Sequence, residues 1–193
     1  SAIVIVAILA IILIWGVSLR NSLATSETGI NGKWGMVQTQ YNRKAKLYEN
    51  IVNTIKGAAT NEDTTLIKIV QMRSRMPQIS SSATPEQIAE ADKQLNQIGR
   101  AALNINIEAY PTLKSTELFK NLQTQIEGTE NRVTTALNDW NQAITDYNLK
   151  VVRFPGNILA GILGYKQKQN YVAPEGAEAV SYTHLRAHET GRN

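Results

Sequence analysis

Residues 116–154 read TELFKNLQTQIEGTENRVTTALNDWNQAITDYNLKVVRF. Within them Leu118, Leu122, Ile126, Thr129, Val133, Leu137, Trp140, Ile144, Tyr147, Val151 and Phe154 recur every three or four residues, the spacing of one face of a single α-helix. At 1.5 Å per residue that helix spans roughly 55 Å. A rod of this length with one apolar and one polar face needs partner helices of similar length. The stretch is therefore read as the organising helix of an all-α, coiled-coil-like bundle whose long helices run up and down, antiparallel to one another.

The partners are visible on its N-terminal side. Thr84-Pro85-Glu86-Gln87 is a helix start: Thr84 caps, Pro85 takes the first helical position, and Gln87 reaches back to the cap nitrogen. The helix it opens carries Ile88, Ala91, Leu95, Ile98, Ala102, Ile105 and Ala109 in steps of three and four. It stops at Tyr110-Pro111, because the residue before a proline leaves the helical region. A short turn leads to Ser115 as N-cap of the organising helix, so the two helices are expected as antiparallel neighbours. With the turn centred near Thr112, Ala102 faces Leu122 and Gly99 faces the turn containing Gly128, a waist where two backbones approach.

Earlier in the chain, Trp34, Val37, Tyr41, Ala45, Tyr48, Val52, Ile55 and Ala59 share one face. Asn61 caps a further helix carrying Leu66, Ile69, Val70, Arg73 and Met76, ended by Pro77, and Ser80, Ser81 and Ser82 form a loop. The expected helices are thus 33–58, 62–76, 85–109 and 116–153 within a bundle over 32–172. After the hard stop at Phe154-Pro155-Gly156, the apolar segment 157–165 and then Lys166 and Lys168 follow. Nine residues are too few to span a bilayer. The segment is expected to cap the bundle end, the alternative being a membrane-surface position with its lysines toward headgroups.

Residues 2–19, AIVIVAILAIILIWGVSL, opened by Ala2 and closed by Leu19, are almost wholly apolar and bounded by Arg20. Eighteen residues lie at the short end of what crosses a hydrocarbon core of roughly 30 Å, and Trp15 stands where an interfacial aromatic would. A cleaved signal peptide and a buried core helix were weighed against a retained anchor. The run exceeds a usual signal core, the cleavage pattern around Ser22 and Ala24 is weak, and no polar face is present. The lipid bilayer is therefore one partner, through a single transmembrane helix over 1–20. The side of the membrane on which the bundle lies is open, since charge counting needs both flanks. Residues 21–31, NSLATSETGIN, are polar, contain a glycine and show no evident period, so they read as a juxtamembrane tether.

Composition narrows the chemistry. The 193 residues include no cysteine, which removes disulfides and thiolate sites. The net charge of +4 is modest and the bases are dispersed rather than clustered with aromatics, against nucleic-acid binding. Lys33, Arg43, Lys44, Lys46 and Lys56 outnumber Glu27 and Glu49 between Arg20 and Lys56, a basic stretch read as a solvated helix face, with anionic headgroups as the other reading. Residues 173–193 read as a disordered tail. The last thirteen, SYTHLRAHETGRN, break with the rest in composition and resemble a translated sequencing-adaptor read-through, so Ser181, His184, His188 and their neighbours are set aside. Without them the body has no histidine, and His-based nucleophile or di-iron systems are absent. Catalytic, cofactor and metal positions are expected to number none. The rival reading, a carboxylate- or metal-dependent enzyme, requires Glu108, Glu127, Glu130 or Asp139 to converge in a cleft.

Several local runs carry a resemblance: Tyr41-Asn42, Glu108-Ala109-Tyr110-Pro111, Gly128-Thr129-Glu130-Asn131-Arg132, Tyr147-Asn148 and Phe154-Pro155 with the apolar segment behind them. Together they resemble the bacterial LemA family over nearly the whole chain to Tyr171. Where that family places a proline before an Asn-aliphatic-Val step, Glu49 stands here. The resemblance implies a small membrane protein with one N-terminal transmembrane helix, a helical soluble domain, a scaffold or envelope-associated role with an unknown protein partner, and no established enzymatic activity. On the residues themselves, Tyr41 and Tyr147 lie on apolar faces, Asn42 and Asn148 are placed to tie helices together, and Glu130 is offered Arg100 as partner.

Overall fold

The computed structural model describes residues 2–58, 71, 74–80, 82–109 and 117–171. Its described helices include α1 (Ala2–Ala58), α2 (Pro85–Ala109), α3 (Glu117–Val152) and α4 (Gly156–Leu163), and the described residues contain no strand. The helix expected over 62–76 falls almost wholly outside the described residues. So do the Tyr110-Pro111 turn, the Ser115 cap and the tail from 173.

α1 is one unbroken helix of 57 residues, about 85 Å long at 1.5 Å per residue. The tether expected over 21–31 is part of it. Its period is sparse and easily overlooked among serines and glycines: Leu23, Ile30, Val37, Lys44 and Ile51 stand seven apart, and each is at most 4% exposed. Between them Ser26, Thr28 and Thr39 turn their hydroxyls back onto the carbonyls of Ser22, Ala24 and Gly35, so these polar side chains are satisfied within the helix. The first turns differ. From Ile3 to Val17 the large apolar side chains are exposed, and this is the one helix among the described residues long and apolar enough to cross a membrane.

α3 runs antiparallel to α1, since Lys150 meets Ser22 and Ser26, Lys33 meets Asp139, and Lys44 meets Glu130. α2 runs parallel to α1, since the Ala83 carbonyl before it accepts from Trp34 Nε1 and Gln38 Nε2 while Gly99 lies against Tyr48. Its start is the box read from the sequence: the Thr84 N–H donates to Gln87 Oε1 at 2.9 Å and the Gln87 N–H donates to Thr84 Oγ1 at 3.3 Å. The core joins Val37, Tyr41, Tyr48 and Ile51 of α1 to Ile88, Leu95 and Ile98 of α2 and to Val133, Trp140, Ile144 and Tyr147 of α3. Trp34 and Trp140 stack across the seam with ring centroids 4.6 Å apart.

Among the described residues the backbones of α2 and α3 stay apart, while each comes close to α1. The expected glycine waist is therefore absent. Gly99 and the Gly128 region do share a level, but Tyr48 of α1 fills the space between them. A Cβ on Gly99 would stand 3.0 Å from the Tyr48 ring, whereas one on Gly128 would meet nothing within 4 Å. Phe154 also departs from expectation. The helix has ended before it, and the ring is 80% exposed rather than on the seam.

Gly128→Ala should raise stability by about 0.5 to 1 kcal/mol, the helix propensity of alanine over glycine in open space. Gly99→Leu should lose about 1 to 3 kcal/mol by overpacking against Tyr48. Thermal denaturation of the two variants checks both; equal and opposite results would place the close approach at Gly128 instead.

Candidate functional site

Lys44 reaches the middle of the bundle from a heptad position of α1, and its residue is wholly buried. Its ammonium group donates to Asp92 Oδ1 at 2.6 Å and Asn96 Oδ1 at 2.8 Å on α2, and forms an ion pair with Glu130 Oε1 at 2.7 Å on α3. The rings of Tyr41 and Tyr48 flank it at 5.9 and 5.8 Å. Tyr48 donates its hydroxyl to the same Glu130 oxygen at 3.1 Å. The basic stretch read as solvated thus contains the most buried charge among the described residues, and Glu130 pairs with Lys44 rather than Arg100. Burial first, and then the neighbouring Asp92 and Glu130 carboxylates, push the Tyr41 and Tyr48 hydroxyls far above the ordinary tyrosine value of 10.0.

A second device ties the segment 165–171 along α3. The side-chain amide of Asn148 both accepts from the Lys168 N–H and donates to the Lys168 carbonyl, each at 2.8 Å. Asn141 does the same to Tyr171, at 2.8 and 3.1 Å. The spacing follows from geometry: seven residues of helix and three of extended chain both advance about 10 Å. Lys168 then pairs with Glu27 at 2.9 Å over the Tyr147 ring. Asn148 therefore ties a strap to a helix instead of two helices, while Asn42 is exposed and ties nothing together.

The remaining sequence-selected residues scatter. Tyr41 and Tyr147 are buried as expected, each 1% exposed. Gly128 is half-buried beside open space, and Pro155 caps α4 without a side-chain bond. Tyr110 and Pro111 lie outside the described residues, as does the side chain of Glu108. Asn131 and Arg132 are exposed. With Met36 and Gln40 of α1 and Thr135, Ala136 and Asp139 of α3 they line a shallow groove of about 300 Å³ between the two helices. Gln40 Oε1 is buried with no hydrogen-bond partner. Lys33 and Asp139, 2.9 Å apart, close one end. Of the carboxylates of the enzyme reading, the three whose side chains are described point apart: Glu130 turns to Lys44, Asp139 to Lys33, and Glu127 is exposed beside Gln123. Lys44 and the strap were missed in the sequence, although the seven-residue phase of Lys44 with Val37 and Ile51 was a usable signal.

The family model described as the LemA family matches residues 33–183, most of the bundle and none of the apolar run before it. The chain belongs to the LemA family. Protein LemA of Metamycoplasma hominis is 28% identical over 144 residues, 75% of this chain and 64% of that protein. Magnetosome protein MamQ 2 of Paramagnetospirillum magneticum is 34% identical over 76 residues, 39% of this chain and 27% of that one. Magnetosome protein MamQ of Magnetospirillum gryphiswaldense is 29% identical over the same length. The chain thus spans just under two thirds of the first relative and about a quarter of the MamQ proteins. The matched region of this LemA-family chain holds Lys44, Asp92, Glu130 and both strap asparagines.

Lys44→Met leaves Asp92 buried without its cation and should cost about 3 to 5 kcal/mol in denaturant unfolding, part of which Lys44→Met/Asp92→Leu should restore. Glu130→Gln, at a carboxylate 41% exposed, should cost about 1 kcal/mol or less. Because the raised pKa values of Tyr41 and Tyr48 keep them neutral in the fold, their contribution is whole below the unfolded value of about 10 and is lost as pH rises above it. Titration of phenolate absorbance should show these two hydroxyls silent until the alkaline unfolding transition.

Proposed function

We propose that this LemA-family protein is a non-catalytic, single-pass membrane protein that holds a helical bundle at the cell envelope and offers a protein partner the groove beside Asn131 and Arg132. The observation that carries the reading is the groove itself. Elsewhere on α1 and α3, Glu130 and Asn148 are spent on internal bonds. Here Arg132 and Asn131 face solvent beside the apolar side chains of Met36 and Ala136. A cation and an amide along an apolar floor of Met36 and Ala136 suit an extended peptide, whose backbone meets the Asn131 amide and whose carbonyls or acidic side chains meet Arg132. Support for the anchor comes from the exposed apolar surface of the first turns of α1, continuous with a helix the bundle is built on. Support for a scaffold over an enzyme comes from the internal pairing of Glu130 and Asp139.

Two measurements test this. The full chain should stay with membranes through alkaline carbonate extraction; release into the supernatant overturns the anchor. A photoreactive amino acid at Thr135 should give a discrete adduct in the native membrane, the same label at exposed Gln123 should give none, and Arg132→Glu should abolish the adduct. Equal labelling from both positions, or an adduct indifferent to Arg132, overturns the groove.

A further inference from the structure

α4 reads GNILAGIL, and it buries only its small residues, Gly156 and Ala160. Gly156 is wedged against the bundle: a Cβ there would stand 2.7 Å from the Lys150 carbonyl and 3.6 Å from the Leu19 side chain. One turn on, the Leu159 side chain lies 3.9 Å from where a Cβ on Gly16 would sit. α4 therefore continues the antiparallel course of α3 down α1, from Leu19 toward Gly16, past the level of Arg20. Its large side chains point away from the protein: Ile158 is 57% exposed and Ile162 76%. The cap expected from the sequence is thus made with small residues, leaving the large ones for something else.

We propose that α4 and Phe154 lie in the interfacial layer of the bilayer, a second and shallow membrane contact beside the last turns of the anchor. The proposal rests on the anchor reading of α1. Its occupant follows from continuity, because the exposed apolar face of α4 adjoins Trp15 and Val17, 40% and 52% exposed, at the end of the apolar run. Charge completes the match. Arg20, Arg153 and Lys166 are exposed around this pole, and from Lys150 to Tyr171 the chain contains no acidic residue. Apolar side chains beneath a ring of cations is the arrangement that inserts into acyl chains while holding anionic headgroups. The strap that returns from α4 through Asn148 and Asn141 fixes the element against α3, so the insertion geometry is set by the bundle.

Because the chain has no cysteine, single-cysteine variants can carry an environment-sensitive fluorophore at one position each. Ile162→Cys, Ile8→Cys and Gln123→Cys full-length proteins are reconstituted at high lipid-to-protein ratio in phosphatidylcholine vesicles, with or without phosphatidylglycerol. Quenching is read with shallow nitroxide lipid, deep nitroxide lipid and aqueous iodide. The expected result is deep quenching at Ile8, shallow lipid quenching several-fold above iodide quenching at Ile162, and iodide quenching alone at Gln123. Phosphatidylglycerol should increase shallow quenching at Ile162, and Arg20→Gln/Arg153→Gln/Lys166→Gln should remove that increment. Iodide quenching of Ile162 equal to Gln123, with Ile8 still lipid-quenched, overturns the proposal and leaves the anchor standing. Protection of Ile162 from both lipid and iodide assigns the face to a second copy and also overturns it. Loss of lipid quenching at Ile8 overturns the anchor itself, and an increment insensitive to the triple substitution overturns the headgroup contact.

Discussion

One ammonium group holds three helices together. Desolvating a lysine costs several kcal/mol unless its charge and each of its protons find partners. At Lys44 two hydrogen bonds to α2 and an ion pair to α3 provide these partners, and two tyrosine rings flank the group. A hydrophobic side chain at this heptad position could tolerate a slide along either neighbour; a buried cation cannot, because a shift of one turn strands it. The site therefore sets register for α2 and α3 at once, as single polar positions do in helical seams. That matters here because, among the described residues, the backbones of α2 and α3 stay apart, so α1 is where their positions are reconciled.

The same logic of satisfied polar groups appears wherever the chain must be held without a wide apolar face. The 165–171 strap is attached by two asparagines whose amides bond both sides of a peptide unit, and its lysine side chain returns to Glu27 of α1. Lys150 is held by the hydroxyls of Ser22 and Ser26 at the thinly apolar part of α1. These bonds cluster toward the end of the bundle nearest the exposed apolar turns. The bundle and the apolar run are thereby one continuous rod, with no tether between them to absorb motion.

This continuity gives the functional proposals a common frame. A groove between α1 and α3 and an apolar element packed at Gly16 and Leu19 both have fixed positions relative to the first turns of α1. If those turns cross the membrane, the groove stands at a set height above it, up to the reach of a partner held on the same surface.

The sequence by itself determined the elements. Strong periods and local chemistry are short-range properties, so the 36-residue α3, the Thr84-Gln87 box that starts α2, the stop at Phe154-Pro155 and the apolar first turns were all legible. The buried faces of Tyr41, Tyr147, Leu95 and Ile144 followed from spacing alone. Tertiary structure decided which helix is shared and what polar residues do. Lys44 is a charged residue in a basic stretch until Asp92 and Glu130, forty-eight and eighty-six positions away, come to it. Asn148 looks like any helix asparagine until an extended segment twenty residues on arrives in matching register. The tether was misread because one apolar residue every seven is too sparse a signal to stand against serine and glycine; α3 packing along it made it helix. Polar side chains carry no information about their partners in local sequence, whereas apolar ones declare a buried face by period, and that difference is where legibility ended.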